Sequence, residues 1–409
     1  MMDDILFLAH RIPFPPDRGD RIRSWNIIRH LATLTRVHLA CFADEEADLG
    51  HLGALRQALG ATLGEVHVEI RRRSRVSAGL AALVSGRPIS LTSFDNASLR
   101  AFVAKLIERE PVGTIFAFSG QMAQFVPEAG AQRFIMDFVD MDSAKFAAFA
   151  EGASTPMRWV YRREAERLFA FERKTAARAD TSLFVSEAEV MLFRDRAGLA
   201  HADIRALENG VDLQFYDPAS VFEGLANQSQ GPLIVFTGQM NYRPNIEAVT
   251  LFARDIFPRI RQNVPGARFA IVGRQPSDAV KRLADGDAVV VTGAVEDVRP
   301  WLLAANVVVA PLQVARGIQN KVLEAMAMGR PVVASPAAFE GIDAVPGRDL
   351  IVAAPDSQAD AVISLLEDAR QAQAMGKAAR RHMQMAYPWA AKLAALTDML
   401  SAPPRRQAA

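Results

Sequence analysis

The segment 315–335, ARGIQNKVLEAMAMGRPVVAS, concentrates residue types that can bind a phosphate and a ribose. A glycine-containing loop leads into a helix-like stretch, so four backbone N–H groups crowd the expected helix start: those of Gly317, Ile318, Gln319 and Asn320. Such a terminus attracts phosphate through its unpaired donors and the helix dipole, and Lys321 adds a full positive charge. Glu324 follows one turn later on the same face, where a carboxylate can accept hydrogen bonds from two ribose hydroxyls. The alternative is an ordinary helix in which Lys321 and Glu324 pair in solvent.

Three carboxylates stand at the end of another apolar run, in MDFVDMDS (136–143): Asp137, Asp140 and Asp142. Carboxylates there are costly unless they face a cleft, a metal or a substrate. The segment is therefore a candidate site for proton transfer or for orienting a substrate. In the alternative interpretation Asp142 and Ser143 only cap the next helix. A carboxylate pair could hold a metal, but too few other ligands accompany it, so we expect no metal site.

Composition excludes several classes of protein. The chain has 409 residues, half of them apolar and 23% charged, which is typical of a globular protein with two or three domains. Lys+Arg is 47 and Asp+Glu is 46, so bulk charge gives no support for nucleic-acid binding. The single cysteine, Cys41, excludes a disulfide framework. The acidic start MMDDILFLAH and the lack of a long apolar run predict a cytoplasmic protein.

Familiar nucleotide and metal motifs are missing. The sequence contains no G-x-G-x-x-G, no G-K-[ST] and no histidine pair with the spacing of H-E-x-x-H. A standard NAD dehydrogenase, P-loop NTPase or zincin is therefore not expected, and no cofactor is predicted.

The elements that must position these residues are most regular in the second half. Short β-branched runs alternate with helix-like segments, and several runs end in glycine or proline, as at Gly238 and Gly273. This alternation predicts βαβ units and a parallel sheet covered on both faces. The strand candidates are 233–238, 268–273, 288–293, 306–311, 331–335 and 350–354.

The first half repeats the pattern less regularly, with strand candidates at 5–9, 37–42, 65–70, 114–118, 133–138 and 181–185. We therefore predict an α/β fold of two doubly wound domains, 1–220 and 221–385, facing one another across a cleft. Ligands in such folds collect outside the carboxyl ends of the strands. A helix at about 386–400 is expected to return to the first domain, and 401–409 to be a disordered tail.

The chain resembles the family 4 GT-B glycosyltransferases, with five motifs in the right order. The opening ILFLAHRIPFPPDRGDRIRSWNIIRHL, then MDFVDMDSAKF, LENGVD, FTGQMNYRPNIEAV and GIQNKVLEAMAMGRPVVAS carry the resemblance. Among these enzymes it is most similar to the subgroup accompanying exosortase/PEP-CTERM exopolysaccharide systems. The resemblance implies the GT-B arrangement and transfer of a sugar from a UDP- or GDP-sugar. It further implies retention at the anomeric carbon, no required metal, and a polysaccharide or lipid-linked saccharide acceptor bound by the first domain.

By the same resemblance, Glu324 binds the ribose and the donor pocket includes the loop at Gly238. The family often has E-x₇-E, but the position of its first Glu holds Arg316 here, so Arg316 would meet the donor sugar. Cations for the diphosphate are expected from Lys321, then Arg274 and Arg243. The family's contact to the base through the backbone falls on Val295.

On the acceptor side, the resemblance puts a residue near the reacting sugar at the end of the strand 133–138. Asp140 is the first choice and Asp142 the second, to accept a proton from the acceptor hydroxyl or to orient the donor sugar. The first loop, with Gly19 and Asp20, is expected to supply a backbone donor opposite the diphosphate. Alternatively Gly19 only starts a helix that Asp20 caps.

Two basic stretches bear on where the acceptor lies. Residues 71–87 place arginines ahead of an apolar stretch, which favours contact with an anionic membrane surface. In 157–174 aromatic residues alternate with arginines at helical spacing, and a solvated face over core aromatics is the preferred interpretation.

Two other functions remain open at this stage. A sugar-nucleotide epimerase of the same fold would act on its donor without an acceptor. A non-catalytic nucleotide-sugar-binding partner would bind donor and be indifferent to loss of Asp140.

Overall fold

Apolar segments rich in β-branched and aromatic residues form the strands of two parallel sheets, one in each half of the chain. The computed structural model describes residues 3–72, 74–222, 231–286, 288–315 and 318–401. Residues up to Glu208 and those from Leu393 onward form one compact unit, and Asn209–Lys392 form the other. The sequence prediction set this division at residue 220.

In the described part of the first unit the sheet has seven strands, all parallel, in the order β3-β2-β1-β4-β5-β6-β7. The order reverses between β1 and β4, and in doubly wound sheets ligands bind at such a switch point. The strands are β1 (Asp4–Ala9), β2 (Val37–Ala43), β3 (Leu63–Ile70), β4 (Val112–Phe118), β5 (Arg133–Val139), β6 (Thr181–Phe184) and β7 (Ile204–Ala206).

Helices cover this sheet and join its parallel strands. They are α1 (Gly19–Ala32), α2 (Leu52–Leu59), α3 (Arg75–Ser85), α4 (Ile89–Thr92), α5 (Ala97–Arg109), α6 (Asp142–Glu151), α7 (Thr155–Arg178) and α8 (Glu187–Ala197). Short 3₁₀ turns lie at Glu46–His51, Gly60–Thr62 and Gly120–Phe125.

The second unit has the same winding, with six described strands in the order β10-β9-β8-β11-β12-β13. They are β8 (Leu233–Thr237), β9 (Arg268–Val272), β10 (Val289–Gly293), β11 (Val307–Ala310), β12 (Val332–Ala334) and β13 (Ile351–Val352). The helices are α9 (Arg243–Leu251), which continues through a π-helical turn at Phe252–Ile256 into α10 (Phe257–Asn263), then α11 (Asp278–Lys281), α12 (Arg299–Ala304), α13 (Asn320–Ala327), α14 (Pro336–Phe339), α15 (Pro355–Glu367) and α16 (Ala369–Ala386).

Each sheet is buried on both faces, as continuous apolar strands require. Every residue of β2, β8 and β11 is buried. The last helix, α17 (Trp389–Ser401), leaves the second unit and ends on the first. There the buried Arg133 of β5 donates to the carbonyl of Met399 at 2.9 Å, and His30 lies 3.2 Å from the hydroxyl of Thr397. The predicted fold class, two doubly wound α/β domains with a C-terminal helix that returns to the first, is confirmed.

Candidate functional site

In the second unit the turns after β8 and β9 approach each other very closely. Gly238 and Gly273 follow the two strands, and a Cβ at position 273 would overlap the carbonyl oxygen of Gly238. Only glycine allows this approach, so the two strand ends form a tight floor at the carboxyl edge of the sheet. A Cβ added at Gly238 would meet Asn245 at 2.8 Å and the Nζ of Lys321 at 3.2 Å. The floor therefore lies directly beside α9 and α13.

Lys321, in the first turn of α13, reaches across to this floor. Its Nζ donates to Oδ1 of Asn245 at 2.6 Å and lies 4.2 Å from the centroid of the Phe236 ring. Asn245 is buried, and its amide nitrogen donates to the carbonyl of Gln239 at 2.9 Å. Burial lowers the pKa of Lys321 to about 7, while the nearby Glu324 acts in the opposite direction. An anion that enters the site would therefore stabilise the charged form of Lys321.

Glu324 lies one turn further along α13 and hydrogen-bonds to the hydroxyl of Tyr216. Burial raises the pKa of Glu324, and the Tyr216 hydrogen bond and the charge of Lys321 oppose that rise. Lys321 and Glu324 are both partly buried. The alternative of a solvent-exposed Glu–Lys pair is therefore wrong, because both side chains face other groups of the protein. The sequence does not identify Tyr216 as a site residue, because no local pattern links it to α13.

The start of α13 is only partly described, because Arg316 and Gly317 lie outside the described residues. Ile318 is buried, and Gln319 occupies the cap position without a side-chain hydrogen bond to the first turn. Asn320 accepts a hydrogen bond from the amide of Asn209 at 3.2 Å. Asn209 of the segment LENGVD therefore meets Asn320 of the segment GIQNKVLEAM in the second unit.

Three other residues were expected to contact the donor: Arg274, Arg243 and Val295. The carbonyl of Arg274 accepts from the N–H of Met240 at 3.0 Å, which fixes its backbone beside the floor. Arg243 starts α9 with a 70% exposed side chain and donates to Glu247 at 2.7 Å. Such an i,i+4 pairing is ordinary for an exposed helix start. Val295, in the turn after β10, packs against the core of the unit.

In the first unit two arginines and a histidine from the loop after β1 surround Asp20. Its carboxylate accepts from Arg11 at 2.7 Å, from Arg18 at 2.7 Å and lies 3.1 Å from His10. Burial alone would raise the pKa of Asp20, but the His10 hydrogen bond and the two arginine charges hold it well below its usual range. Gly19 is the first residue of α1, and its cap position is Arg18. Capping by Asp20 is therefore not observed.

Asp140 and Asp142 follow β5 and share one cation. Nζ of Lys145 lies 2.7 Å from Asp140 and 3.1 Å from Asp142. Burial would lower the pKa of Lys145, but the charges of Asp142 and Asp140 outweigh it and raise that pKa. The cap position of α6 is Met141 and has no side-chain hydrogen bond, so the alternative that Asp142 and Ser143 cap the helix is wrong. Both aspartates remain accessible and close to a fixed positive charge.

Asp137, the first of the three aspartates, has a structural role. It is fully buried and binds Arg23 through both oxygens, at 2.9 and 3.2 Å. Arg23 also donates to the carbonyl of Leu207 at 2.6 Å. This buried pair ties α1 to β5 and to the end of β7.

One group of potential metal ligands, Asp4, His38 and Glu110, occurs among the described residues, at the amino ends of β1 and β2. Nδ1 of His38 accepts from the N–H of Glu65 at 3.0 Å, so its Nε2 carries the proton and faces Asp4 at 3.0 Å. Arg36 donates to Glu110 at 3.1 Å. The donor set is thus satisfied internally and does not fit a metal.

Helix α3, within the basic stretch 71–87, has an apolar outer face. Val76, Leu80, Leu83 and Val84 are 56–91% exposed, whereas Ala78 and Ala82 face inward. Arg72 is exposed, and Arg71 binds Asp44 at 2.8 Å. Among the described residues no helix combines the length and apolar character needed to cross a bilayer.

Helix α7 contains the second basic stretch, 157–174. Phe169 and Phe171 pack against the core of the first unit, as the preferred interpretation requires. Trp159, in contrast, is 59% exposed. Arg163 donates to the carbonyl of Ala82 at 2.6 Å, so α7 and α3 are neighbours.

Residues 231–368 match the family described as Glycosyl transferases group 1. A curated relative from Corynebacterium glutamicum is the GDP-mannose-dependent monoacylated alpha-(1-6)-phosphatidylinositol monomannoside mannosyltransferase. It is 25% identical over 252 residues, which cover 57% of this chain and 65% of the relative. The match thus spans less than two thirds of the relative's length.

Solved structures share the fold over nearly the whole chain. Sucrose-phosphate synthase from Thermosynechococcus elongatus gives a TM-score of 0.71 at 18% identity and covers 98% of both chains. Anabaena HepE, in complex with UDP and glucose, gives 0.65 at 15% identity and covers 98% of this chain and 100% of its own. WaaG, a glycosyltransferase involved in lipopolysaccharide biosynthesis, gives 0.66 at 14% identity and covers 97% and 99%.

Residues 231–368 thus match a glycosyltransferase family, in agreement with the sequence prediction. The chain has the GT-B fold, and its second unit carries the match to the group 1 glycosyltransferases.

Proposed function

We propose that this protein transfers a sugar from a UDP- or GDP-sugar to a hydroxyl of a polysaccharide or lipid-linked saccharide acceptor. The transfer retains the configuration of the anomeric carbon and needs no metal. It serves the synthesis of an exopolysaccharide. The observation that carries the proposal is helix α13, where Lys321 and Glu324 are fixed by Asn245 and Tyr216. This helix lies within the region that matches the group 1 family.

The second unit binds the donor. Lys321 lies beside Gly238 at the carboxyl edge of the sheet, where nucleotides bind in doubly wound folds. There it neutralises the diphosphate together with the backbone N–H groups at the start of α13. Glu324 accepts hydrogen bonds from the ribose hydroxyls, and Val295 and Arg274 border the base and the diphosphate.

The reaction places negative charge on the leaving diphosphate as the glycosidic bond breaks. A positive group fixed at that place stabilises the transition state more than the ground state. Because the pKa of Lys321 is about 7 before a ligand binds, an arriving diphosphate raises it and secures the charge.

The first unit binds the acceptor. Asp140 orients the sugars or accepts the hydroxyl proton, although in a retaining reaction the departing phosphate can take that proton itself. The exposed face of α3 favours an acceptor at a membrane surface, because apolar residues flanked by arginines suit an anionic interface. The name of the Corynebacterium relative includes a lipid acceptor, and that of WaaG includes lipopolysaccharide biosynthesis. Both agree with an acceptor of this class, as does the resemblance to the exosortase/PEP-CTERM subgroup.

The test is transfer from a panel of radiolabelled UDP- and GDP-sugars, with EDTA present, to lipid-linked saccharides from an exopolysaccharide-producing bacterium. We expect one donor to label the acceptor and Asp140→Asn to reduce that labelling strongly. NMR of the product's anomeric centre would check retention. Conversion of a donor without any acceptor would favour an epimerase, and binding without turnover would favour a non-catalytic partner. Either result would contradict the proposal.

Membrane contact has its own test. Wild type should sediment with vesicles containing phosphatidylglycerol and much less with phosphatidylcholine alone. The variant Leu80→Ser/Val84→Ser should lose this binding. Met385→Ser removes a side chain of α16 whose exposure, 74%, lies between those of Leu80 and Val84, and serves as the control. Equal sedimentation of the α3 double variant and of the Met385→Ser control would overturn the role of α3.

A further inference from the structure

The loop that carries Asp140 and Asp142 starts in an unfavourable backbone conformation. Val139 has a φ of +71°, a left-handed value that β-branched residues rarely adopt. Such a residue persists only where its surroundings determine the backbone strongly. Backbone contacts at residues 139, 141 and 143 hold this loop in place.

Three backbone N–H groups of this loop each bind a different carboxylate. The N–H of Val139 donates to Asp137 at 3.1 Å. The N–H of Met141 donates to Glu189 of α8 at 2.7 Å, and that of Ser143 donates to Glu172 of α7 at 3.1 Å. The hydroxyl of Ser143 lies 2.5 Å from the second oxygen of Glu172. Alternate residues of the loop are thus fixed from three separate elements.

All three carboxylates are buried: Asp137 is 0%, Glu172 is 2% and Glu189 is 6% exposed. Burying a carboxylate costs free energy that its hydrogen bonds must offset. Burial raises the pKa of Glu172 to about 8, with the hydrogen bonds from Ser143 opposing the rise. Asp137 is compensated by Arg23, as described above.

The fixing of alternate residues in the loop 139–143 determines which of its side chains are exposed. Met141 and Ser143 are buried, whereas Asp140 and Asp142 are partly exposed and meet at Lys145. Fixing the amides of residues 139, 141 and 143 therefore fixes the two residues between them.

We propose that Glu172 and Glu189 are positioning residues, which act on the reaction by holding the loop 139–143 so that Asp140 points at the substrate. This inference rests on the proposed function, because it needs Asp140 to take part in transfer. Neither glutamate is proposed to touch the substrate. Their effect passes entirely through the backbone of the loop.

The test combines kinetics with amide hydrogen exchange. Glu189→Ala should lower kcat at least tenfold, leave nucleoside diphosphate affinity unchanged, and speed exchange of the Met141 amide. Glu189→Gln keeps an acceptor oxygen and should recover most of kcat. Glu172→Ala and Glu172→Gln should behave in the same way, with exchange at Ser143 as the readout. Glu187→Ala on α8 and Glu166→Ala on α7 remove exposed glutamates and serve as controls.

A double-mutant cycle separates positioning from general damage. In an Asp140→Asn background, Glu189→Ala should reduce kcat less than twofold further, because the residue it positions is already lost. A full tenfold loss in that background, or unchanged exchange at Met141 in Glu189→Ala, would overturn the inference. If Glu189→Ala fails to fold, full loss of kcat in the folded Glu189→Gln variant would do so instead.

The exchange measurement does not depend on activity. If the protein transfers no sugar, the proposed function fails, while faster exchange at Met141 would still show that Glu189 holds the loop. If transfer occurs and neither glutamate variant changes kcat, only the positioning inference fails.

Discussion

The Nζ of Lys321 donates to the Oδ1 of Asn245 at 2.6 Å, and these residues lie 76 positions apart in the chain. Asn245 in turn binds the carbonyl of Gln239, in the turn after β8. The first loop of the second unit and the start of α13 are thereby joined into one site. The position of the expected diphosphate cation is set by a buried amide as well as by its own helix.

Diphosphate binding should depend on pH through Lys321. Its pKa is about 7 without ligand, and a bound diphosphate raises it, so binding above pH 7 takes up a proton. We expect affinity for the cognate nucleoside diphosphate to fall by up to about tenfold per pH unit above pH 7. Titration calorimetry from pH 6.5 to 9 would measure this.

Lys321→Arg is the matched control, since arginine stays charged over this range. Titration of the nucleotide itself is common to both proteins. A wild-type affinity that stays constant from pH 7 to 9 would contradict the role of Lys321.

Glu324→Ala should weaken nucleotide binding by about 1.5–3 kcal/mol, the contribution of charge-assisted hydrogen bonds to the ribose. That is roughly a ten- to hundredfold loss. Wild type should also discriminate against the 2′,3′-dideoxy nucleotide, and Glu324→Ala should not. Discrimination that persists in the variant would show that another residue reads the ribose.

Tyr216→Phe removes the hydrogen bond to Glu324 and leaves that partly buried carboxylate with one donor fewer. We expect a smaller effect than for Glu324→Ala, about 0.5–1.5 kcal/mol in nucleotide affinity. The two substitutions should be non-additive, because both act on one carboxylate. Calorimetry on the single and double variants would measure the coupling, and strict additivity would argue against it.

Gly273→Ala should damage the second unit, because the added Cβ would overlap the carbonyl oxygen of Gly238. We expect the free energy of unfolding to fall by about 1–3 kcal/mol, as for other overpacked sites. Nucleotide affinity should fall as well, since the floor beside Lys321 would shift. Gly286→Ala, where a Cβ meets nothing within 4 Å but the φ is also positive, separates strain from overlap. Equal losses from both substitutions would show that the close approach has no special role.

Lys145→Met should destabilise the first unit, because Asp140 and Asp142 would lose the cation that they share. Adding Asp142→Asn removes the remaining repulsion and should restore part of the stability. Urea unfolding at pH 7 measures both changes. If Lys145→Met leaves stability unchanged, the shared ion pair contributes nothing.

The fold could be predicted because continuous apolar strands alternate with helices along the chain. A parallel sheet requires this pattern, since helices join its strands and cover both of its faces. Lys321 and Glu324 could be found since they share one turn of one helix. The sequence could also have identified Lys145 as the partner of Asp142 and Asp140, because it follows Asp142 by three residues and Asp140 by five. Tyr216 and Asn245 could not be found this way, because tertiary packing alone brings them to α13. Nor could spacing reveal that Arg243 would face solvent beside Glu247.

Thermal unfolding in the presence of nucleotides tests whether α13 forms the donor site. Melting temperatures would be measured with EDTA present for UDP, GDP, ADP, CMP and NAD⁺, in wild type and in Glu324→Ala. Ligand that binds the folded state raises the melting temperature according to its occupancy. We predict that UDP or GDP alone raises it in wild type and that the shift is lost in Glu324→Ala. No shift with either diphosphate, or an equal shift in the variant, would show that Glu324 and α13 do not bind the donor nucleotide.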